Sequence, residues 1–269
     1  MKTKTALIFF VILFSVMAPA GAQQGKFLIG AKAGFGIPNL TSGSVTTPLS
    51  EGYTSRLGFY GGLISELYTG THFGFRTELN FSSQGGQRDG IQALPLPPEL
   101  APFWEYLPAF GIIPDGYMYA DIRSEAILNY LELPVMAKYR FRLGSKVNFY
   151  LQAGPYIGFL INAKNITSGS SPVFVDDAGM ISVDDILEQA KQPPVGPQSF
   201  DHTENITSDV HRFNFGGQVG AGFELMMKSG EFFIEGGGNY GFLPIQKDEA
   251  NGTNNTGAGT LTVGYLFFL

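Results

Sequence analysis

Hydrophobic and polar residues alternate along most of this chain. In NYLELPVMAKYRFR (129–142), Leu131, Leu133, Val135, Ala137, Tyr139 and Phe141 share one parity, while Glu132, Pro134, Met136, Lys138, Arg140 and Arg142 share the other. A period of two predicts a β-strand with one apolar and one polar face. The same alternation predicts strands near 27–37, 57–68, 73–82, 126–142, 146–161, 211–227, 231–242 and 259–269. The connections are of two kinds. TGTH (69–72), LGS (143–145) and KSG (228–230) are tight turns of Gly and small polar residues, whereas 38–56, 83–125, 162–210 and 243–258 are long. Short turns at one end and long loops at the other predict an all-β fold: an eight-stranded antiparallel up-and-down transmembrane β-barrel with four long extracellular loops and short periplasmic turns.

Alternation alone does not say which face is inside, because a soluble lipocalin-type barrel alternates with its apolar face inward. Glycine placement and charge decide it. Glycines crowd the polar parity (Gly30, Gly34, Gly62, Gly154, Gly158, Gly216, Gly220, Gly222 and others), with Gly61, Gly217, Gly236 and Gly238 on the apolar one. In a narrow lumen small residues make room for large ones opposite, whereas on a solvated face glycine only weakens a strand. No Asp, Glu, Lys or Arg falls on the apolar parity of any expected strand, as lipid requires. Aromatics gather at strand ends. Phe35, Phe59, Phe81, Phe159, Phe213 and Phe242 lie toward the long loops, and Tyr139, Phe141, Phe149, Phe232 and Phe267 toward the short turns, forming two interfacial girdles. The polar parity then places Lys32, Glu66, Arg76, Glu78, Glu132, Lys138, Arg140, Glu224 and Glu235 in the lumen. Buried charges must pair or meet water, so a ladder of structural ion pairs across the lumen is expected.

The first residues add a location. Lys2 and Lys4 precede the apolar run ALIFFVILFSVM, and Ala20-Gly21-Ala22 is a small-residue cleavage site. Residues 1–22 therefore read as a signal peptide cleaved near Ala22, and 23–269 as one barrel domain of the outer membrane. The chain has no Cys, which excludes disulfides and thiolate metal sites. A formal charge of −6 with 15% charged residues argues against nucleic acid as a partner, since phosphate binding needs a basic face.

Several segments are similar to a known family. NYLELPVMAKYRF and FYLQAGPYIGFLI resemble the outer-membrane β-barrel domain common in Bacteroidetes, the group that includes PorT-type proteins. The match lies at Tyr130, Leu131, Glu132, Leu133, Pro134, Lys138 and Tyr139, then at Gly154, Pro155, Tyr156 and Gly158. RFNFGGQVGAGFEL resembles a further strand of that family at Arg212, Phe213, Asn214, Gly216, Gly220 and Gly222, with Asn214 where Asp is usual. The terminal LTVGYLFFL resembles the signal read by barrel-assembly machinery, with Leu269 in place of the usual Phe. The resemblance implies a small outer-membrane barrel and a PorT-like accessory role in secretion. Pro134 and Pro155 each remove a ladder donor, so a bulge or kink is expected at each.

Candidate chemistry is confined to the loops. Residues 83–125 hold Phe103, Trp104, Tyr106 and Phe110 among prolines. These aromatics read either as a contact site for a protein partner or as a lid folded over the barrel mouth. In 162–210, Ser182 and Asp185 have the spacing of a capping box, and Asp184–Lys191 reads as a short helix ended by Pro193-Pro194. Asp176, Asp177, Asp184 and Asp185 lack EF-hand spacing and read as an acidic surface rather than a calcium site. Of the histidines, His211 lies near Ser208 and Asp209, but neither GxSxG nor HExxH occurs. No catalytic residue, cofactor or metal site is assigned. The expected partners are outer-membrane lipid, the assembly machinery at the C-terminal strand and a protein at the outer loops. The competing reading is a small diffusion channel.

Overall fold

The computed structural model describes residues 26–269. The leader expected over 1–22 and its cleavage near Ala22 lie outside the described residues. Five strands come first: β1 (Lys26–Ser42), β2 (Gly58–Tyr68), β3 (Phe73–Pro95), β4 (Tyr117–Arg142) and β5 (Val147–Ser168). Three short strands follow within one loop, β6 (Ser170–Ser171), β7 (Gln198–Ser199) and β8 (His202–Asn205), before β9 (Phe213–Met226), β10 (Gly230–Gly241) and β11 (Asn254–Phe268). The long strands form a ring in the order β4-β3-β2-β1-β11-β10-β9-β5, closed by pairing of β4 with β5. Closure leaves no sheet edge in the membrane, so every backbone polar group there finds a partner within the barrel. Among the described residues no helix is long and apolar enough to cross a membrane.

The apolar parity faces out. Leu63 and Val219 are 59% and 60% exposed, whereas Arg76 and Glu224 are fully buried. Aromatic rings touch from strand to strand at both rims. Phe59 lies 6.1 Å from Phe81 and Phe159 lies 5.3 Å from Phe213 at the loop end. At the turn end Phe141 lies 5.9 Å from Phe149, which lies 5.4 Å from Phe223. Two glycines show how the lumen accommodates its large side chains. A Cβ on Gly264 would come 2.4 Å from the Phe233 ring, and one on Gly216 would come 2.5 Å from the Tyr156 ring.

Two expectations need correction. Neither proline makes a bulge. The β3–β4 register passes from Thr77↔Val135 to Asn80↔Glu132 without a shift, and the β4–β5 register passes from Pro134↔Tyr156 to Ala137↔Ala153 likewise. Each proline forgoes one ladder bond, and pairing resumes in the same register on either side of it. The register shift in the β4–β5 pair falls instead between Asn129 and Tyr130.

The strands are also longer than the alternation indicates. β3 and β4 pair out to Pro95↔Tyr117, so much of the expected loop 83–125 is a hairpin standing above the membrane. A membrane crossing needs only about 9–11 residues, whereas β4 has 26. Residues 84–92, QGGQRDGIQ, lack the apolar parity because neither face of the hairpin meets lipid at that height.

The orientation of the faces predicts the effect of a charge on the outer wall. Val219→Arg, at the middle of β9, should destabilise the barrel by roughly 2–4 kcal/mol. Urea titration of folding into liposomes, read by the mobility difference between boiled and unboiled samples, measures this.

Candidate functional site

The lumen is crossed by one connected set of charges. Lys138 Nζ lies 2.6 Å from Glu66 Oε1 and also contacts Glu224. Arg76 contacts Glu66, and its Nη1 lies 2.6 Å from Glu235 Oε2. Lys32 Nζ lies 2.7 Å from Glu78 and 3.3 Å from Glu235. Arg140 Nε lies 2.6 Å from Glu224 Oε2, and Arg140 Nη2 donates to Glu231 Oε2 at 2.5 Å. These residues come from β1, β2, β3, β4, β9 and β10, so the network ties opposite walls together. Burying an ion costs several kcal/mol, and the cost is offset here because each cation meets more than one carboxylate. Ring faces add to this. Arg76 stands 4.9 Å from the Phe233 centroid, Lys138 4.0 Å from that of Tyr150 and Arg140 4.1 Å from that of Tyr68.

Tyrosines and amides complete the packing. Tyr150 Oη and Gln152 Nε2 donate to Glu235 at 2.6 and 2.9 Å, and Tyr68 Oη donates to Glu66 at 2.9 Å. Toward the loops the ladder becomes uncharged. Glu132, expected in an ion pair, is held by Gln84 Nε2 at 3.2 Å and Asn239 Nδ2 at 3.0 Å. The cations sit nearer the turn end, so amides are what the wall offers Glu132. Glu231, buried beside Arg140, is absent from the expected set because it lies at the first positions of β10, where the alternation has barely begun. The carboxylates of Glu66, Glu224 and Glu231 come within 4.8 Å of one another, with Lys138 and Arg140 among them.

Apolar side chains pack above the ladder and within it. Toward the loops, Leu40, Leu128, Tyr130 and Leu160 from the strands pack with Val210 and Ile245 from the loops. Among the charges themselves, Leu28, Ile64, Tyr150, Phe233 and Leu266 form a second cluster.

The outer loops have a core of their own. Helix Ala101–Tyr106 and the following 3₁₀ turn Leu107–Phe110 pack on helix Val183–Gln189. Trp104, Leu107, Val175 and Ile186 are buried between them, with Phe103 packed against this core. Trp104 is therefore turned inward, and its Nε1 donates to the Tyr117 carbonyl at 3.1 Å. As a contact residue it is corrected: the largest apolar side chain in the loops is what the loops fold around. Tyr106 and Phe110 are exposed, together with Ile113, Met180 and Val195.

The expected capping box is present. Ser182 accepts from the Asp185 amide at 3.1 Å, while Asp185 accepts from the Ser182 amide at 2.8 Å. These bonds from Ser182, side chain first and then backbone, hold the Asp185 carboxyl below its ordinary range. The cap is thus intact at neutral pH and is lost as pH falls through that depressed value. The other aspartates also serve the backbone. Asp176 accepts from Ile181 at 2.7 Å and Asp184 from Val195 at 2.7 Å. Nearby, burial first and then the hydrogen bond to Asp115 push the Tyr119 hydroxyl pKa up. Ser208 donates to Asp209 at 2.9 Å, while the His211 backbone donates to Ile245 at 2.8 Å.

This geometry defines an eight-stranded transmembrane barrel with a lumen filled by side chains and a folded outer cap. The outer membrane protein beta-barrel domain family matches residues 21–247, and the chain belongs to that family, which places it in the outer membrane. No curated protein matches the chain. Among solved structures, Neisserial surface protein A is similar at 14% identity over 90% of this chain and 97% of its own, with a TM-score of 0.37. Ail, the attachment invasion locus protein of Yersinia pestis, shares 13% over 89% and 98%, with a TM-score of 0.34. OprG, an outer membrane protein from Pseudomonas aeruginosa, shares 11% over 91% and 97%, with a TM-score of 0.35. Likeness at this level concerns the fold alone.

The ladder and the cap should respond separately to mutation. Lys138→Met removes one of the two cations that hold each of Glu66 and Glu224 and should cost about 3–5 kcal/mol of barrel stability, with partial recovery in Lys138→Met/Glu224→Met. Denaturant titration in micelles tests this. Trp104→Ala should cost the cap about 3–5 kcal/mol, seen as rapid proteolysis within 96–116 and 169–212 while the barrel keeps its heat-modifiable mobility.

Proposed function

We propose that the chain is a non-enzymatic anchor that holds an interaction platform at the cell surface. The observation that carries this reading is the pairing of a lumen filled by side chains with a separately cored cap. Side chains fill the ring from wall to wall through Arg76, Lys138 and Glu235, while the loops bury Trp104 and present Tyr106 and Ile113 at 69% and 92% exposure. Apolar side chains held outward on a packed support are what a protein partner recognises. The barrel fixes the cap in the lipid, and the C-terminal strand gives the assembly machinery its handle. The PorT-like segments around Glu132–Tyr139 and Gly154–Gly158 extend the proposal to an accessory role in protein secretion. A diffusion channel would need a continuous water path, and the clusters around Leu128 and Phe233 stand across it.

Two measurements test the reading. Photocrosslinking from residue 106 in intact outer membranes should capture a discrete protein set that Ile113→Ser reduces several-fold. A profile unchanged by Ile113→Ser would remove the cap as the contact site. In planar bilayers the purified protein should pass no steady unit current, and sizeable regular openings would favour the channel.

A further inference from the structure

At the turn end, below the ladder, the barrel opens into a vestibule of about 410 Å³. Its lining includes Lys26, Arg140, Arg142, Asn148, Thr71 and Ser145. The alternation of the strands sends these cations inward. Arg142 shares the parity of Lys138 and Arg140 on β4, and Lys26 shares that of Lys32 on β1. Their charges are not balanced locally. The nearest carboxylates, Glu231 with Glu66 and Glu224 within 4.8 Å of it, are already held by Arg140 and Lys138. Lys26 and Arg142 are exposed to the cavity and have no carboxylate within ion-pair distance among the described residues. Lys26 has only the Phe268 ring, at 5.9 Å from its centroid. Lys146 and Lys228 stand in the neighbouring turns and deepen the positive potential.

We propose that this vestibule is a binding site for a soluble, multiply charged oxyanion of the periplasm, a phosphate-bearing solute. Lys26 and Arg142 supply uncompensated charge, and the Ser145 hydroxyl and the Asn148 amide supply neutral donors around it. The guanidinium fork of Arg142 suits two oxygens of one phosphate group. The sealed ladder gives the site a floor, so a bound anion stays at the mouth. Lys26, Arg140 and Arg142 stand on the inner parity of their strands, whereas Thr71 and Ser145 belong to the turns at the rim. Cations on the inner parity point away from the bilayer, so a soluble anion suits the site better than a lipid headgroup.

The probe is inorganic pyrophosphate, titrated calorimetrically into the full barrel in phosphatidylcholine nanodiscs. Saturable binding with one site per barrel is expected, weakening as salt rises. Lys26→Gln/Arg142→Gln should weaken it about tenfold or more, the loss expected of a charge-assisted contact. Lys146→Gln/Lys228→Gln, outside the lining, should change it by about twofold or less, as exposed charges do. Both pairs lie at strand ends or turns, and their heat-modifiable mobility verifies folding. Absence of saturable binding in the unaltered protein would overturn the proposal. So would equal losses in the two pairs, which would indicate diffuse attraction only. A third overturning result is displacement of pyrophosphate by phosphatidylglycerol in the nanodisc, which would assign the cations to lipid.

Discussion

Everything inside this barrel follows from a shortage of space. Eight strands enclose a lumen that side chains fill, so a charge on the inner parity cannot keep its hydration shell. It must find its opposite on another strand. Arg76 illustrates the consequence. It is fully buried, reached by carboxylates from β2, β3 and β10, and flanked by the rings of Tyr150 and Phe233. Its partners hold strands that are distant around the ring and in sequence. The ladder thus sets which residues face one another across the lumen, as hydrogen bonds set which face one another along the wall.

The same shortage explains the inner glycines and the outer girdles together. A large ring such as Phe233 fits only where its neighbour Gly264 has no side chain. The wall outside has the opposite requirement, since hydrocarbon rewards bulk and tolerates no charge. Inner and outer parities of one strand therefore answer to two solvents. Most of the strand pattern was legible for that reason: Val219 and Glu224 differ by five positions, hence by parity, and they end on opposite faces.

Legibility ended where those solvents did. Above the membrane the β3–β4 hairpin has no hydrocarbon to select its outer residues, so QGGQRDGIQ shows no alternation although it is strand. Glu231 escaped notice because a strand of few residues past a turn has no established phase. Glu132 was legible as an inner residue but not as one held by amides, because cross-lumen partners are set by strand stagger rather than by local sequence. Trp104 was legible as important, while its direction depended on a loop more than seventy residues away that supplies Val175 and Ile186. The prolines misled for a related reason. A ladder bonded on both sides of a gap absorbs one missing donor without changing step.

The tall hairpin also bears on how anything meets the cap. Twelve residue steps of β4 separate Tyr117 from Asn129, a length of about 40 Å at the usual strand rise. Backbone pairing through this stretch makes a stiff mast rather than a tether. The helices at its tip are thereby presented at one height and one attitude. A partner arriving from solution has little disorder to remove, because folding has already immobilised the surface it touches.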